Sequence, residues 1–232
     1  SLAMLLKLTV AMQVISLVVC YVCWVLDVCD PFIPFISDTD TNPASSWAFT
    51  LGFTLTGALM MPLSLQFYIA RRKWGERNKG SGIETMNLLA TISAAASGIS
   101  ILWISYTPWH EQMELHMIQA RVIFGGLMIW ALLSTAISFR MLEIDSRFSS
   151  LFQARRGWTV FSLICLLGLA ISVYSYAGVS LSIPEGHMGT VLECSDLGHP
   201  ALSVAAFFEW MMVIGLAGVS YTGAQEARLI DQ

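Results

Sequence analysis

Charge is scarce in this sequence. Asp, Glu, Lys and Arg make up 12% of its 232 residues, against about 25% in an ordinary soluble domain. Basic residues are missing altogether from three stretches, 27–46, 107–114 and 179–200, which carry nine acids between them. No glycine-rich phosphate loop, no HExxH or CxxC framework and no nucleophile-with-base signature is present. There is no repeat of 20–50 residues and no low-complexity tract. Five cysteines are too few and too scattered for a disulfide scaffold. These absences disfavour nucleic-acid binding, nucleotide hydrolysis and a structural metal, and they leave no soluble domain to fold.

Apolar residues fill the space. They make up 56% of the chain, and the mean hydropathy is +0.66. Six runs reach the roughly 20 mostly apolar residues that a membrane span needs: 2–26, 47–70, 86–106, 115–139, 158–178 and 201–223. None shows the alternation of a membrane barrel. The expected fold is all-α, a polytopic bundle of six transmembrane helices forming a single membrane domain over 1–232. The first run is too long for a signal-peptide core and has no small-x-small cleavage site before Asp27, so it reads as a retained span.

The remaining charges sort by connection. Stretches 71–85 and 140–157 hold nine Lys or Arg residues, and the tail adds Arg228. By the positive-inside rule these connections and both termini are cytosolic, and the acidic connections face the opposite side. On that outer side lie Cys29 and Cys194, which can bridge the first and last outer connections in an oxidising compartment. All four histidines, His110, His116, His187 and His199, also fall there. His110 and Glu114 are one helical turn apart, but His116 points elsewhere, so no metal site is expected.

Lys7, Arg121 and Glu209 are the charges left within the apolar runs. Lys7 lies near a helix end and can snorkel to the cytosolic surface. Arg121 and Glu209 enter from the outer side and lie about 12 and 13 Å along their helices. Opposite charges at matched depth predict a buried pair joining the fourth and sixth helices. Such a pair is either a structural lock or part of a polar, outer-facing cavity that holds a ligand or lipid headgroup. Trp210, beside the glutamate, offers an apolar wall or an indole N–H. On the cytosolic side Arg71, Arg72, Lys73, Arg77 and Lys79 form a polybasic juxtamembrane segment suited to anionic lipid headgroups. Pro62 predicts a kink in the second helix. Ala90, Ala94 and Gly98 form a small-residue stripe on the third helix, which implies a close neighbour within the bundle or in a homo-oligomer. The proline-broken DPFIPFISD is expected to fold back over the mouth of the bundle.

PFISDTDTNPASS (34–46), the basic connection after it, LHMIQA (115–120) and FEW (208–210) together resemble the damage-regulated autophagy modulator (DRAM) family, within the wider Frag/DRAM/Sfk group of six-helix membrane proteins. The resemblance spans nearly the whole chain in the same order. It draws attention to Asp38, His116, Glu209 and Trp210. It implies a non-catalytic scaffold or regulator in a lysosome-like endomembrane or the plasma membrane, concerned with autophagy or phosphoinositide-linked organisation. The group also includes the membrane part of proteins that remodel GPI-anchor lipids, so a lipid-handling protein built around His116, Arg121 and Glu209 is the alternative. An accessory subunit of a larger membrane complex is the third reading. No cofactor is implied, and the partners expected are membrane lipids and membrane proteins. The chain departs from the family pattern at Asp40, where glycine is usual, at Phe208, often cysteine, and at Arg121, where a small residue is expected.

Overall fold

A computed structural model of the chain describes residues 1–27, 29–30, 32–78, 82–178 and 191–231. These residues contain six long helices: α1 Leu2–Leu26, α2 Pro43–Asn78, α3 Ile83–Ile104, α4 Trp109–Ile144, α5 Ser149–Ala177 and α6 Pro200–Asp231. All six are long and apolar enough to cross a membrane. They are apolar nearly all round, as expected where one face meets lipid and the other meets protein. Leu, Ile and Val side chains such as Ile15, Leu65, Ile92, Ile129, Ile164 and Ile171 point outward and remain exposed. Small hydroxyl residues turn inward instead, among them Ser97, Ser134, Ser138 and Ser162. There they satisfy backbone carbonyls and let helices approach closely.

Several helices outrun the apolar stretches that signal them. α2 and α4 each span 36 residues and α6 spans 32. Their hydrogen-bond ladders continue through polar ends that hydropathy assigns to connections. α2 remains helical through Pro62. The helix carrying a break is α4, at Gln112, where φ is −137° and ψ is 53°.

The helices are arranged as a closed ring. Each packs on its neighbours in sequence, and α6 returns to α1; α4 and α5 form the sparsest seam, and contacts across the ring are few. α2 and α3 come closest at two glycines. A Cβ added to Gly57 would lie 2.6 Å from both the Gly98 carbonyl oxygen and the Leu102 nitrogen. The small stripe of α3 is therefore used inside the chain: Ala90 and Ala94 are buried and Gly98 faces α2. Gly57→Ala should push α2 off α3 and lower stability by about 1–3 kcal/mol. Gly157→Ala, where a Cβ meets nothing within 4 Å, should be neutral or stabilising by up to about 1 kcal/mol. Thermal unfolding of the two variants in detergent checks the contrast.

The two ends of the ring are closed differently. On the outer side Trp24, Phe35, Trp109, Val191, Leu197 and Leu202 belong to one apolar cluster. It is crossed by a disulfide between Cys29 and Cys194, residues 165 apart in sequence. On the cytosolic side Trp74, Ile83, Ile137, Phe148, Leu151 and Ile230 form the corresponding plug.

Candidate functional site

The first outer connection does not lie loosely over the bundle. It dips between the helix ends and is held one peptide group at a time. Phe35 is extended, with φ −60° and ψ 150°, and Ile36–Asp40 follow as a single 3-10 turn. The Asp38 carboxylate accepts the Phe35 N–H at 2.9 Å, while the Asp38 N–H donates to the Phe35 carbonyl at 3.0 Å. This reciprocal pair closes the turn as a capping box closes a helix start. Thr39 donates to the Ile36 carbonyl at 2.6 Å and Thr41 to the Asp38 carbonyl at 2.7 Å. The Ser45 hydroxyl donates to the Thr39 carbonyl. Asn42 Oδ1 accepts the Ala44 N–H at 2.8 Å, tying the turn to the start of α2.

α6 grips this turn from below. Glu209 Oε2 accepts the Ile36 N–H at 2.7 Å, and Trp210 Nε1 donates to the Pro34 carbonyl at 2.7 Å. Together with Asp38 they serve the backbone of residues 34, 35 and 36 in succession. All three backbone groups would otherwise be orphans inside the bundle, each costing about 1–3 kcal/mol. Asp38 is 1% exposed and Glu209 7%. The sequence PFISD and the dipeptide Glu-Trp, whose bonded residues are 173 and 176 apart, are thus the two halves of one brace. Next to it Asp40 accepts the Ser46 hydroxyl at 2.8 Å. Burial raises the Asp40 carboxyl above its ordinary value, while Ser46 and the nearby His110 pull it back.

His116 performs a similar task on the next connection. Its Nδ1 lies 2.7 Å from the Thr107 carbonyl oxygen. A carbonyl only accepts, so Nδ1 carries the proton and Nε2 of the neutral ring is left as an acceptor. Thr107 in turn donates to Gln119 Oε1 at 2.6 Å. His110 stays 3.9 Å from Glu111, and His199 Nδ1 accepts the Ala201 N–H at the start of α6. His187 and Lys79 lie outside the described residues.

Below the brace the ring encloses a cavity of about 370 Å³. Its walls are mostly apolar, with Phe49, Phe53, Phe124 and Leu169 among them, and Glu209, His116, Gln13 and Arg121 supply polar groups. Arg121 and Glu209 both line it but do not form the expected ion pair. Matched depth is not matched direction. α5 packs between α4 and α6, Glu209 turns toward the outer turn, and Arg121 is exposed on the seam with α5. Glu209 Oε1 makes no hydrogen bond among the described residues.

The side of the cavity is thin where α4 meets α5. Arg121, Gly125, Leu169 and Ala170 line it there, Arg121 and Ala170 are exposed, and a Cβ on Gly125 would meet nothing within 4 Å. Among the described residues the polar ties between these helices lie toward the cytosol: Thr135 with Thr159 at 2.9 Å, and Arg155 with the Ser134 carbonyl and the Ser138 hydroxyl. Phe208, which replaces a smaller residue of the family pattern, has its ring seated on Gly168 of α5, where a Cβ would come within 2.7 Å of it.

A second charged cluster lies near the cytosolic end and is not anticipated from hydropathy. Glu226 of α6 accepts from Arg71 Nε at 2.6 Å and Nη2 at 2.9 Å, and from Arg155 Nη1 at 2.5 Å. Arg155 also donates to Thr222 at 2.7 Å and Ser138 at 2.6 Å. Arg71 is therefore not a headgroup ligand at the surface: at 2% exposure it is a core residue, held by the only type of partner that makes such burial tolerable. Of the other basic residues in that stretch, Arg72 pairs with Glu76 on the surface, Lys73 is exposed, and Arg77 donates to the Ile230 carbonyl.

Among curated proteins and solved structures nothing matches the chain. Residues 1–226 match the family described as Frag1/DRAM/Sfk1/Cwh43P N-terminal domain. Six apolar helices in a ring, a first outer turn braced by Asp38 and Glu-Trp, and a match over nearly the full length place this integral membrane protein in the Frag1/DRAM/Sfk1/Cwh43P family.

Proposed function

We propose that this protein is a non-catalytic membrane regulator that holds a phospholipid in the cavity beneath the outer turn, reached at the seam of α4 and α5. The observation carrying this reading is the use to which the polar residues are put. Asp38, Trp210 and one oxygen of Glu209 are occupied with backbone groups of residues 34–36, and His116 Nδ1 with Thr107. Groups fixed in this way brace a fold. What they leave for a ligand is a mostly apolar chamber with the Arg121 guanidinium at its side and a carboxylate oxygen of Glu209, the Gln13 amide and His116 Nε2 as its polar groups. That combination suits an acyl chain in the chamber, a phosphate at Arg121 and a headgroup N–H or O–H donor at Glu209 Oε1. Arg72, Lys73 and Arg77 at the opposite end suit the anionic cytosolic leaflet. A role in autophagy or phosphoinositide-linked organisation is in keeping with the family and would be exercised through lipid occupancy.

Native mass spectrometry of the protein released from nanodiscs of mixed phospholipid and diacylglycerol tests the reading. The wild type should retain one phospholipid. Arg121→Gln should lose most of it while remaining folded, with a thermal midpoint lower only by the stabilisation that the bound lipid supplied, because Arg121 is exposed and forms no ion pair among the described residues. Recovery of the protein without lipid would refute lipid holding. Recovery of hydrolysed or transferred lipid, abolished by Glu209→Gln, would make it an enzyme.

A further inference from the structure

The cytosolic charge cluster is unbalanced. Arg71 and Arg155 are 2% and 1% exposed, and Glu226, fully buried, is the one carboxylate among the described residues that meets them. Arginine does not lose its proton in proteins, so the excess positive charge cannot be relieved by titration. A buried charge without a counter-charge is costly. Beside the cluster is a second cavity of about 90 Å³, lined by Arg71 and Arg155 together with Thr9, Ser64, Phe67 and Ser220. No acid lines it. Arg155 spends Nε on Thr222, and Nη1 on Ser134, Ser138 and Glu226. Its Nη2, with two N–H donors, has no acceptor among the described residues. Phe67 stacks on the Arg71 guanidinium, 4.7 Å from its centre, and shields it from the lipid.

We infer that this cavity is a binding site for a small monovalent inorganic anion of chloride size, seated against Arg155 Nη2 and the outer N–H groups of Arg71. One such ion brings the cluster to neutrality. A water needs roughly 10–15 Å³ of such space, so the volume holds an ion with a few waters. It has no room for a phosphate that still carries its glycerol and acyl chains, and all six helices contribute to its walls. The hydroxyls of Ser64 and Ser220 now donate to carbonyls of their own helix and are free to rotate toward the ion. The ion would lock α2, α5 and α6 together, which makes the assembled state sensitive to anion supply.

The test is the thermal midpoint of the purified full chain in a neutral detergent, titrating chloride against gluconate at constant ionic strength. Chloride should raise the midpoint in proportion to the logarithm of its concentration once above its Kd, by about 5 °C or more at a hundredfold excess. Bromide should substitute for it and give an anomalous scattering peak beside Arg155 in crystals. Arg155→Lys keeps the charge but removes the Nη2 donors, and should need at least tenfold more chloride for the same rise. Should that variant fail to fold, the bromide peak in the wild type decides alone. A midpoint that ignores chloride would overturn the inference, leaving the carbonyl ends of α2, α4 and α6 to balance the charge. So would a response only to vesicles of phosphatidylserine, which would make lipid phosphate the ligand, or a chloride response unchanged in Arg155→Lys.

Discussion

Glu226→Gln should be the most damaging single substitution in the chain. It preserves the shape of the side chain but removes the charge that meets Arg71 at 2.6 and 2.9 Å and Arg155 at 2.5 Å. Two guanidiniums would then be buried without a carboxylate. Breaking a buried pair by removing one partner costs about 3–5 kcal/mol, and for a chain of this size that is a fall of roughly 6–20 °C in thermal midpoint. Four helices, α2, α4, α5 and α6, meet at this point, so the loss should appear as cooperative unfolding of the cytosolic half and not as local fraying. The surface pair Arg72–Glu76 supplies the control. Its partners are 53% and 62% exposed, and solvent screening leaves such exposed pairs little effect on stability. Glu76→Gln should therefore be nearly silent. Equal midpoints for Glu226→Gln and Glu76→Gln would mean that the cytosolic cluster does not hold the helices together.

The second large effect is expected at the outer brace. Glu209→Ala removes the acceptor of the Ile36 N–H and leaves that donor buried, at a cost of about 1–3 kcal/mol. Glu209→Gln keeps a carbonyl oxygen in reach and should recover most of it. Trp210→Phe keeps the ring, which packs edge-on against Tyr21 with centroids 5.9 Å apart, but loses the donor to Pro34, a smaller loss of about 1 kcal/mol. Both groups hold neighbouring peptide units of one turn, so the effects should not add: once the turn is released by one substitution, the other has less left to lose. Thermal midpoints of the two single variants and the double variant measure this coupling. Strict additivity would mean that Glu209 and Trp210 act independently, not as one brace.

Much of the architecture is legible in the sequence because hydrophobic length and loop charge are strong signals. Six spans follow from six apolar runs, and an even number returns the chain to the side on which it starts. Helix ends are less legible, and that is where the cytosolic cluster is hidden. Hydropathy ends the last span at 223 and assigns Arg71 and Arg155 to connections, whereas the helical ladder continues past all three charges. One signal does point to Glu226: it stands four residues from both Thr222 and Ile230, so the buried stripe of α6 runs straight through it. The Arg121–Glu209 pair fails for a different reason. Rise per residue fixes depth, but the order of helices around the ring and the azimuth of each side chain are tertiary properties that spacing does not carry. Of the four residues singled out by family resemblance, Asp38, Glu209 and Trp210 come together on backbone groups of one outer turn, while His116 holds the Thr107 carbonyl of the next connection.

The role of that turn can be read at a single amide. Hydrogen exchange at Ile36, measured on the protein in nanodiscs, should be slow in the wild type and faster by about tenfold or more in Glu209→Ala, while the exchange of α3 amides stays unchanged. An Ile36 amide that exchanges at the rate of an open loop in the wild type, or that ignores the loss of Glu209, would show that the last helix does not hold the first outer turn.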